Sequence, residues 1–311
     1  MRIGGGSEVF KRWKGFAMVL TGGMFWGLSG TVAQKLFVEE GFTPGFLVCI
    51  RLVVAGALLL LFASFGEKRR QVFGVWKDHE SRIRLVVFGL IGMLGVQYTY
   101  FASIEKGNAA AATLLQYLAP LLVVVYQAWL KSKLPSGRET LAVAFALVGT
   151  LLLVTNGSWH SLSISTAAVV WGLLSAVGLA FNAIYPSELQ RKWESTVILG
   201  WAMVVGGAAL ALINRPWNAV GMHWSWVSAA EVIYVVIFGT LVAFYLFIDS
   251  LRYVTSTEAS LLSIIEPLVA VLASVFWLKV PLGFYEGIGG VCILVTVAIL
   301  AVRKAEPKVS D

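Results

Sequence analysis

The chain has 311 residues, of which 58% are hydrophobic and 13% are charged, whereas soluble domains carry roughly 25% charged residues. A soluble fold is excluded, because so few polar residues cannot cover a surface that faces water. The net charge of +7 does not indicate nucleic-acid binding, since the basic residues lie in loops between apolar stretches.

The apolar stretches predict an all-α integral membrane protein, because each is close to the roughly 20 residues that a membrane-spanning helix needs. The ten predicted spans, numbered in chain order, are 15–37, 45–66, 83–104, 107–129, 138–155, 164–185, 195–213, 227–251, 255–277 and 283–302. They are too long and too uniformly apolar for the strands of a membrane β-barrel. The basic residues before span 1 resemble the start of a signal peptide, but no persuasive cleavage site follows, and we interpret this segment as a retained span.

Lysine and arginine residues are distributed unequally between the loops, which predicts an orientation. If the N-terminus lies in the cytoplasm, the cytoplasmic tails and loops carry 19 of these residues, and the outer loops carry three. Loops rich in lysine and arginine stay on the cytoplasmic side of a membrane. We therefore expect a plasma-membrane protein whose two tails, residues 1–14 and 303–311, are both cytoplasmic.

An internal repeat divides the ten spans into two sets of five. Ala112–Pro120 in span 4 aligns with Ala259–Pro267 in span 9 at an offset of 147 residues. The predicted repeats cover residues 15–155 and 164–302. Because five is an odd number, the second set must enter the membrane upside down relative to the first. Inverted repeats are typical of secondary transporters, whose substrate sites lie between the repeats near the middle of the membrane.

Several stretches follow an order and spacing that point to a known family. They are Trp26-Gly27 in span 1 with its counterpart Trp171-Gly172 in span 6, Arg51 in span 2, Tyr98 to Pro120, and Leu261 to Lys279 with its Glu266-Pro267. Together they resemble the drug/metabolite transporter superfamily, in particular its EamA-type branch, over nearly the whole chain. The chain departs from this family where Lys131 and Lys279 stand near positions that often hold a glutamate. The resemblance implies ten helices, a central cavity between the halves, and alternating-access export of small metabolites or amino acids.

Glu266 is the sharpest candidate for a functional residue. It lies near the middle of span 9, where a charged side chain costs about 2.5–3.5 kcal/mol, so it is expected to face a cavity or a partner. A carboxyl group there can take up and release a proton, which makes Glu266 the candidate coupling residue. The alternative is a structural glutamate beside Pro267. Pro267 and Pro120 each free backbone groups in their helices and are the candidate hinges.

Arg51 lies about six residues inside span 2 and has three interpretations. Its guanidinium can bind a substrate carboxylate, pair with an acid, or extend outward to the membrane surface. If Arg51 and Glu266 both face inward, their opposite charges suit a zwitterionic solute. Asp249 is expected to pair with Arg252 at the end of span 8, and Lys35 is expected to be solvated at the end of span 1.

Polar and aromatic residues inside the spans are the remaining candidates for a solute-binding cavity. Aromatic walls with a few amides and hydroxyls suit a small amphipathic molecule, whereas aromatic residues near span ends also form the interfacial belt. The candidates are Trp26, Gln97, Tyr98, Gln116, Tyr117, Trp171, Asn182, Tyr185, Tyr245 and Ser263.

Small residues spaced four apart predict close contacts between helices. Gly23 and Gly27 form such a pair in span 1, and Gly283 and Gly287 form one at span 10. Packing within the chain is the simpler interpretation of both pairs. Span 10 is also the candidate face for a homodimer.

The leading functional hypothesis is a secondary transporter that exports an amino acid or a related metabolite, with a proton at Glu266 as the simplest coupling ion. The chain contains no Walker A pattern that would indicate ATP-driven pumping. A membrane-embedded enzyme and a passive channel stay open as alternatives. Membrane enzymes usually cluster His, Asp or Ser at one face, whereas the three histidines here are scattered in loops and Cys49 and Cys292 lack metal-ligand spacing. We therefore expect no cofactor and no metal, and the expected partners are a small solute, the lipid bilayer and, through span 10, a second copy of the chain, but not nucleic acid.

Overall fold

The computed structural model describes residues 5–65, 69–130, 136–158 and 162–301. These residues form helices and connecting turns, and none of them belongs to a strand. Ten of the described helices are long and apolar enough to cross a membrane. The predicted all-α membrane fold with ten spans is therefore confirmed. The C-terminal tail 303–311, Lys131 and His160 lie outside the described residues.

The observed spans follow the predicted ones closely. They are Arg12–Glu39, Pro44–Phe65, His79–Lys106, Ala109–Leu130, Gly137–Thr155, Thr166–Lys192, Ser195–Asn214, Trp226–Ser250, Glu258–Phe276 and Phe284–Ala301. The largest difference is at span 6, because the short helix Ser187–Lys192 continues it beyond the predicted end at residue 185. Span 3 begins earlier than predicted because Asp78 caps its first turn by accepting a hydrogen bond from the backbone N–H of Ser81.

The spans pack in a regular pattern of pairs. Span 2 lies along span 7, span 5 along span 10, and span 4 against span 9. Span 3 packs on span 6, and span 8 packs on span 1. Glycines permit the closest crossings: a Cβ atom on Gly56 would lie 2.8 Å from the carbonyl oxygen of Gly200, and one on Gly149 would lie 2.8 Å from that of Gly289. Gly283, part of the candidate dimer face, instead packs against Asn156 of its own chain.

Spans 3, 4, 8 and 9 each contain an irregular backbone. Spans 3 and 8 each include a π-helical segment, at Phe88–Leu94 and Ile237–Val242. Spans 4 and 9 are each interrupted by a turn, between Ala109–Gln116 and Ala119–Leu130 and between Ser256–Leu262 and Ile265–Phe276. Pro120 and Pro267 follow these turns, and their missing N–H groups leave the carbonyls of Gln116 and Ser263 without an α-helical donor. Irregular helix geometry of this kind often marks functional segments.

Candidate functional site

Glu266, Tyr117 and Ser263 meet where the interrupted spans 4 and 9 face each other. The Tyr117 hydroxyl oxygen lies 2.7 Å from the backbone carbonyl oxygen of Ser263 and 2.9 Å from Oε2 of Glu266. The Ser263 carbonyl is available because Pro267 cannot donate to it, and the turn gives it only the Glu266 N–H, at 3.0 Å. The structure thus brings three predicted site residues into one hydrogen-bonded group.

Span 1 holds the backbone of span 9 in place beside Glu266. Gly23 faces Ile265, and Gly27 faces the carbonyl of Glu266. A Cβ atom on Gly27 would lie 3.1 Å from the backbone nitrogen of Ala270. The predicted close packing of Gly23 and Gly27 is therefore confirmed, and it occurs within the chain.

Arg51 is buried, with 4% of its surface exposed, which rules out the interpretation that it extends outward to the membrane surface. Its Nε donates to the Thr240 hydroxyl at 2.5 Å, and its Nη2 donates to the Gly239 carbonyl at 2.9 Å. Both acceptors belong to the π-helical segment of span 8. The guanidinium also lies 5.0 Å from the ring centre of Phe101, within the range of a cation–π contact. The described groups in contact with the guanidinium are therefore neutral.

Arg51 and Glu266 interact electrostatically but do not form an ion pair. The structure records no acid in ion-pair contact with Arg51 and no cation in such contact with Glu266, within the residues it describes. The two charged groups, together with Tyr100 and Tyr117, are close enough to interact electrostatically. A guanidinium has five N–H donors, and the two bonds of Arg51 leave three of them without an acceptor in the described part of the chain.

Two buried polar residues around Arg51 were not singled out from the sequence. Tyr100 is buried, and its hydroxyl lies 2.8 Å from that of Thr113, which donates to the Ala109 carbonyl at 2.7 Å. Thr240 accepts from Arg51 and donates to the carbonyl of Val235 at 2.9 Å. A polar residue inside a span can be recognised from the sequence, but the sequence does not show whether its side chain faces the interior of the bundle.

Four predicted aromatic residues lie in ring contacts between or along spans. Trp26 packs edge-on against Phe244, with ring centres 5.1 Å apart. Tyr98 and Trp171 meet each other edge-on at 5.9 Å, which joins spans 3 and 6. Tyr185 stacks on a neighbour of its own helix, Phe181, at 4.5 Å. These rings are half-buried.

Other predicted residues are not joined to Glu266. Tyr245 is 47% exposed and meets Phe62 on the outer surface of the bundle, so it does not reach the group. Asn182 lies against Met93, 3.9 Å from its sulfur, and its side-chain oxygen is buried without a hydrogen-bond partner in the described ranges. Gln97 is half-buried and Gln116 is buried, and neither side chain has a hydrogen bond to a described residue.

Ion pairs join the ends of neighbouring spans. Lys35 of span 1 contacts Glu231 of span 8 at 2.6 Å, and its side chain is only 16% exposed. The expectation that Lys35 is solvated is therefore wrong. Asp249 pairs with Arg252 at 3.1 Å, which confirms that expectation. The sequence did not predict that Glu231 is the partner of Lys35, because it does not show that span 8 lies beside span 1.

Known proteins match this chain over most of its length. The model of the EamA-like transporter family matches residues 13–155 and again residues 166–302. YicL of Salmonella typhimurium, an uncharacterized inner membrane transporter, is 35% identical over 293 residues, which cover 93% of this chain and 95% of YicL. A WAT1-related chloroplastic protein of Arabidopsis thaliana is 22% identical over 308 residues, 96% of this chain and 71% of its own length. One crystal structure, 19% identical, superposes with a TM-score of 0.59 over 92% of this chain and 95% of its own.

Proposed function

This chain belongs to the EamA-like transporter family and is a multi-pass membrane transporter, and on this premise we propose that it is a secondary transporter that exports an amino acid or a related small metabolite. The proposed mechanism is alternating access between two inverted five-span repeats, with Glu266 as the proton-coupling residue. The proposed location is the plasma membrane, with both tails in the cytoplasm.

The pattern of packing supports the inverted repeats. Spans 2 and 7, 4 and 9, and 5 and 10 pair with their own counterparts, and the contact of span 3 with span 6 corresponds to that of span 8 with span 1. A two-fold relation between the halves produces such a set of pairs. The family model also matches twice, once in each half. Five spans in each half then require opposite orientations in the membrane.

The observation that carries the proposed substrate class is the pair of opposite, separately held charges inside the bundle. Three N–H donors of Arg51 have no acceptor among the described residues, and guanidinium groups bind carboxylates through two parallel hydrogen bonds. Glu266, when ionised, offers a carboxylate to an ammonium group. A zwitterion satisfies both groups at once, whereas a neutral solute leaves both charges uncompensated in the membrane interior.

Counter-flow in proteoliposomes tests this proposal. Purified protein is screened with neutral amino acids for thermal stabilisation, and each stabilising compound is then assayed for uptake against an internal excess of the same compound. We expect saturable uptake that an internal excess stimulates. Arg51→Leu should lower the uptake at least tenfold, whereas the matched control Arg82→Leu, which changes an exposed arginine of span 3, should leave it unchanged.

The result can overturn the proposal in two ways. Flux that rises linearly with the gradient and shows no counter-flow would identify a passive channel. Chemical conversion of the solute or of a lipid by the purified protein would identify an enzyme. The orientation is tested separately with C-terminal fusions, where an active fused alkaline phosphatase would place that tail outside the cytoplasm and contradict the proposal.

A further inference from the structure

The Tyr117 hydroxyl has one hydrogen but two neighbouring oxygens that can accept it. These are the Ser263 carbonyl oxygen at 2.7 Å and Oε2 of Glu266 at 2.9 Å. A carbonyl oxygen can only accept a hydrogen bond, and an ionised carboxylate can also only accept. With Glu266 ionised, one of the two short contacts therefore lacks a hydrogen. With Glu266 protonated, its O–H donates to Tyr117, and Tyr117 donates to Ser263, so both contacts are satisfied.

From this proton count we infer that Tyr117 is a positioning residue that links the protonation of Glu266 to the contact between spans 4 and 9. The inference rests on the proposed role of Glu266 as proton carrier and adds the part of the molecule that responds to the proton. When Glu266 holds a proton, a continuous chain of hydrogen bonds runs from its carboxyl group through Tyr117 to the Ser263 carbonyl. When Glu266 loses the proton, the Tyr117 hydroxyl turns to the carboxylate, because hydrogen bonds to charged acceptors are the stronger ones.

Loss of the proton from Glu266 affects the structure because these hydrogen bonds lie at the interruptions of spans 4 and 9. Tyr117 and Ser263 each lie in the turn that interrupts their span. Pro267 prevents the usual helical N–H from reaching the Ser263 carbonyl, so that carbonyl depends on Tyr117 and on the Glu266 N–H. Loss of the proton therefore weakens a bond between the two helix breaks, the places at which the two spans bend most readily.

Several groups lie around Glu266, but only Tyr117 among the described residues hydrogen-bonds to its carboxyl group. Arg51 from span 2 and Tyr100 from span 3 act on Glu266 or its partners electrostatically. Span 1 presents the uncharged glycines Gly23 and Gly27 to this part of span 9.

Infrared difference spectroscopy between acid and neutral pH tests the inference on protein in lipid vesicles. The carbonyl stretching band of protonated Glu266 is identified as the band that Glu266→Gln removes. This band should move to higher frequency in Tyr117→Phe, because the carboxyl O–H loses its acceptor. The midpoint of the pH profile of solute uptake should also move by about half a pH unit or more. The matched control is Tyr126→Phe, a tyrosine of the same span that is 42% exposed and lies against Trp129.

The outcomes separate the inference from the proposed function. If Glu266→Gln keeps the band and the pH profile, the proton role of Glu266 fails, and the inference fails with it. If Glu266→Gln abolishes both while Tyr117→Phe behaves like Tyr126→Phe, the proton role stands and the inference is wrong. Should Tyr117→Phe not fold, Glu266→Asp provides the same test, because its shorter side chain keeps the acid but withdraws it from Tyr117. An unshifted carboxyl band in Glu266→Asp would then contradict the inference.

Discussion

Spans 4 and 9 are interrupted at corresponding points, but the two interruptions differ in chemistry. In span 4, Ala119 precedes Pro120 and lies in an apolar cluster with Leu118 and Leu121. In span 9, an acid, Glu266, stands at the position that corresponds to Ala119, 147 residues later. The proline breaks both helices in the same way, so the backbone irregularity belongs to both halves. An acid stands beside the proline in one half only, so the interruption of the helix does not by itself depend on an acid.

The largest effect is expected when the acid is introduced into the half that lacks it. Ala119→Glu places a carboxyl group at a site that is 3% exposed and surrounded by apolar side chains. We expect a loss of about 2.5–3.5 kcal/mol in stability, the cost of a charged side chain at this depth of a membrane. Thermal unfolding of the purified protein in detergent measures this loss.

A control of similar size distinguishes charge from bulk in that experiment. Ala119→Met enlarges the side chain without adding a charge and should be the milder of the two changes. If Ala119→Glu were as stable as Ala119→Met, the first interruption would have an unrecognised polar partner, and the contrast between the two halves would disappear.

A second prediction compares the glycines that follow the repeated tryptophans. A Cβ atom on Gly27 would meet the backbone of span 9, 3.1 Å from the Ala270 nitrogen, whereas one on Gly172 would meet side chains, among them Leu115 Cδ1 at 2.6 Å and Ser103 Oγ at 3.1 Å. These two side-chain atoms can move by a change of rotamer, but the backbone of a packed helix cannot. Gly27→Ala should therefore lose about 1–3 kcal/mol in stability, and Gly172→Ala should lose less.

The same pair of variants has a functional readout. Displacement of span 9 by Gly27→Ala should also change the pH profile of uptake, because Glu266 lies on the displaced segment. Equal loss of stability in both variants would contradict this prediction, because it would show that Gly27 and Gly172 tolerate a methyl group equally.

A third prediction compares the two prolines. Pro267→Ala gives span 9 an N–H that can donate to the Ser263 carbonyl and so compete with Tyr117. A hydrogen bond contributes about 1 kcal/mol, so we expect the initial rate of uptake to change about fivefold. Pro120→Ala, where the freed Gln116 carbonyl has no recorded partner from span 9, should change the rate less. A larger effect of Pro120→Ala would locate the critical bend in span 4.

The sequence predicted the spans well because hydrophobicity is a local property. The predicted and observed bounds of span 5, for example, are 138–155 and Gly137–Thr155. Span 6 ended later than predicted because Ser187–Lys192 is a polar helix, and apolar content marks where a helix enters lipid but not where the helix ends.

The contacts of the site were harder to predict, since they depend on which helix faces which. Glu266 was recognisable as an acid in the middle of an apolar stretch, and Tyr117 as a tyrosine in the repeated segment. That they meet depends on the packing of span 4 against span 9. The acceptors of Arg51 were the hardest contacts to predict from the sequence. They lie in the π-helical segment Ile237–Val242, and such a segment has no clear sequence signal.

The smallest expected effect concerns two ion pairs, each of which has one residue at a position that the repeat relates. These residues, Arg84 and Glu231, are 147 residues apart, and they carry opposite charges near the start of corresponding spans. Glu231 pairs with Lys35 at 2.6 Å, with side chains 13% and 16% exposed, whereas Arg84 pairs with Glu188 at 2.6 Å, with side chains 33% and 55% exposed. The separation is the same in both pairs, so shielding from water is the main difference between them.

Double-mutant cycles on the two pairs measure how much that shielding contributes. The variants are Lys35→Met with Glu231→Gln, and Arg84→Met with Glu188→Gln. We expect a coupling energy of about 1 kcal/mol for the shielded pair and about 0.2–0.5 kcal/mol for the exposed one, and added salt should reduce the second more strongly than the first. Equal couplings with equal salt dependence would mean that solvent reaches Lys35 and Glu231 as freely as it reaches Arg84. Each pair joins a span of the first half to a span of the second, so these two contacts between the halves would then contribute equally to stability.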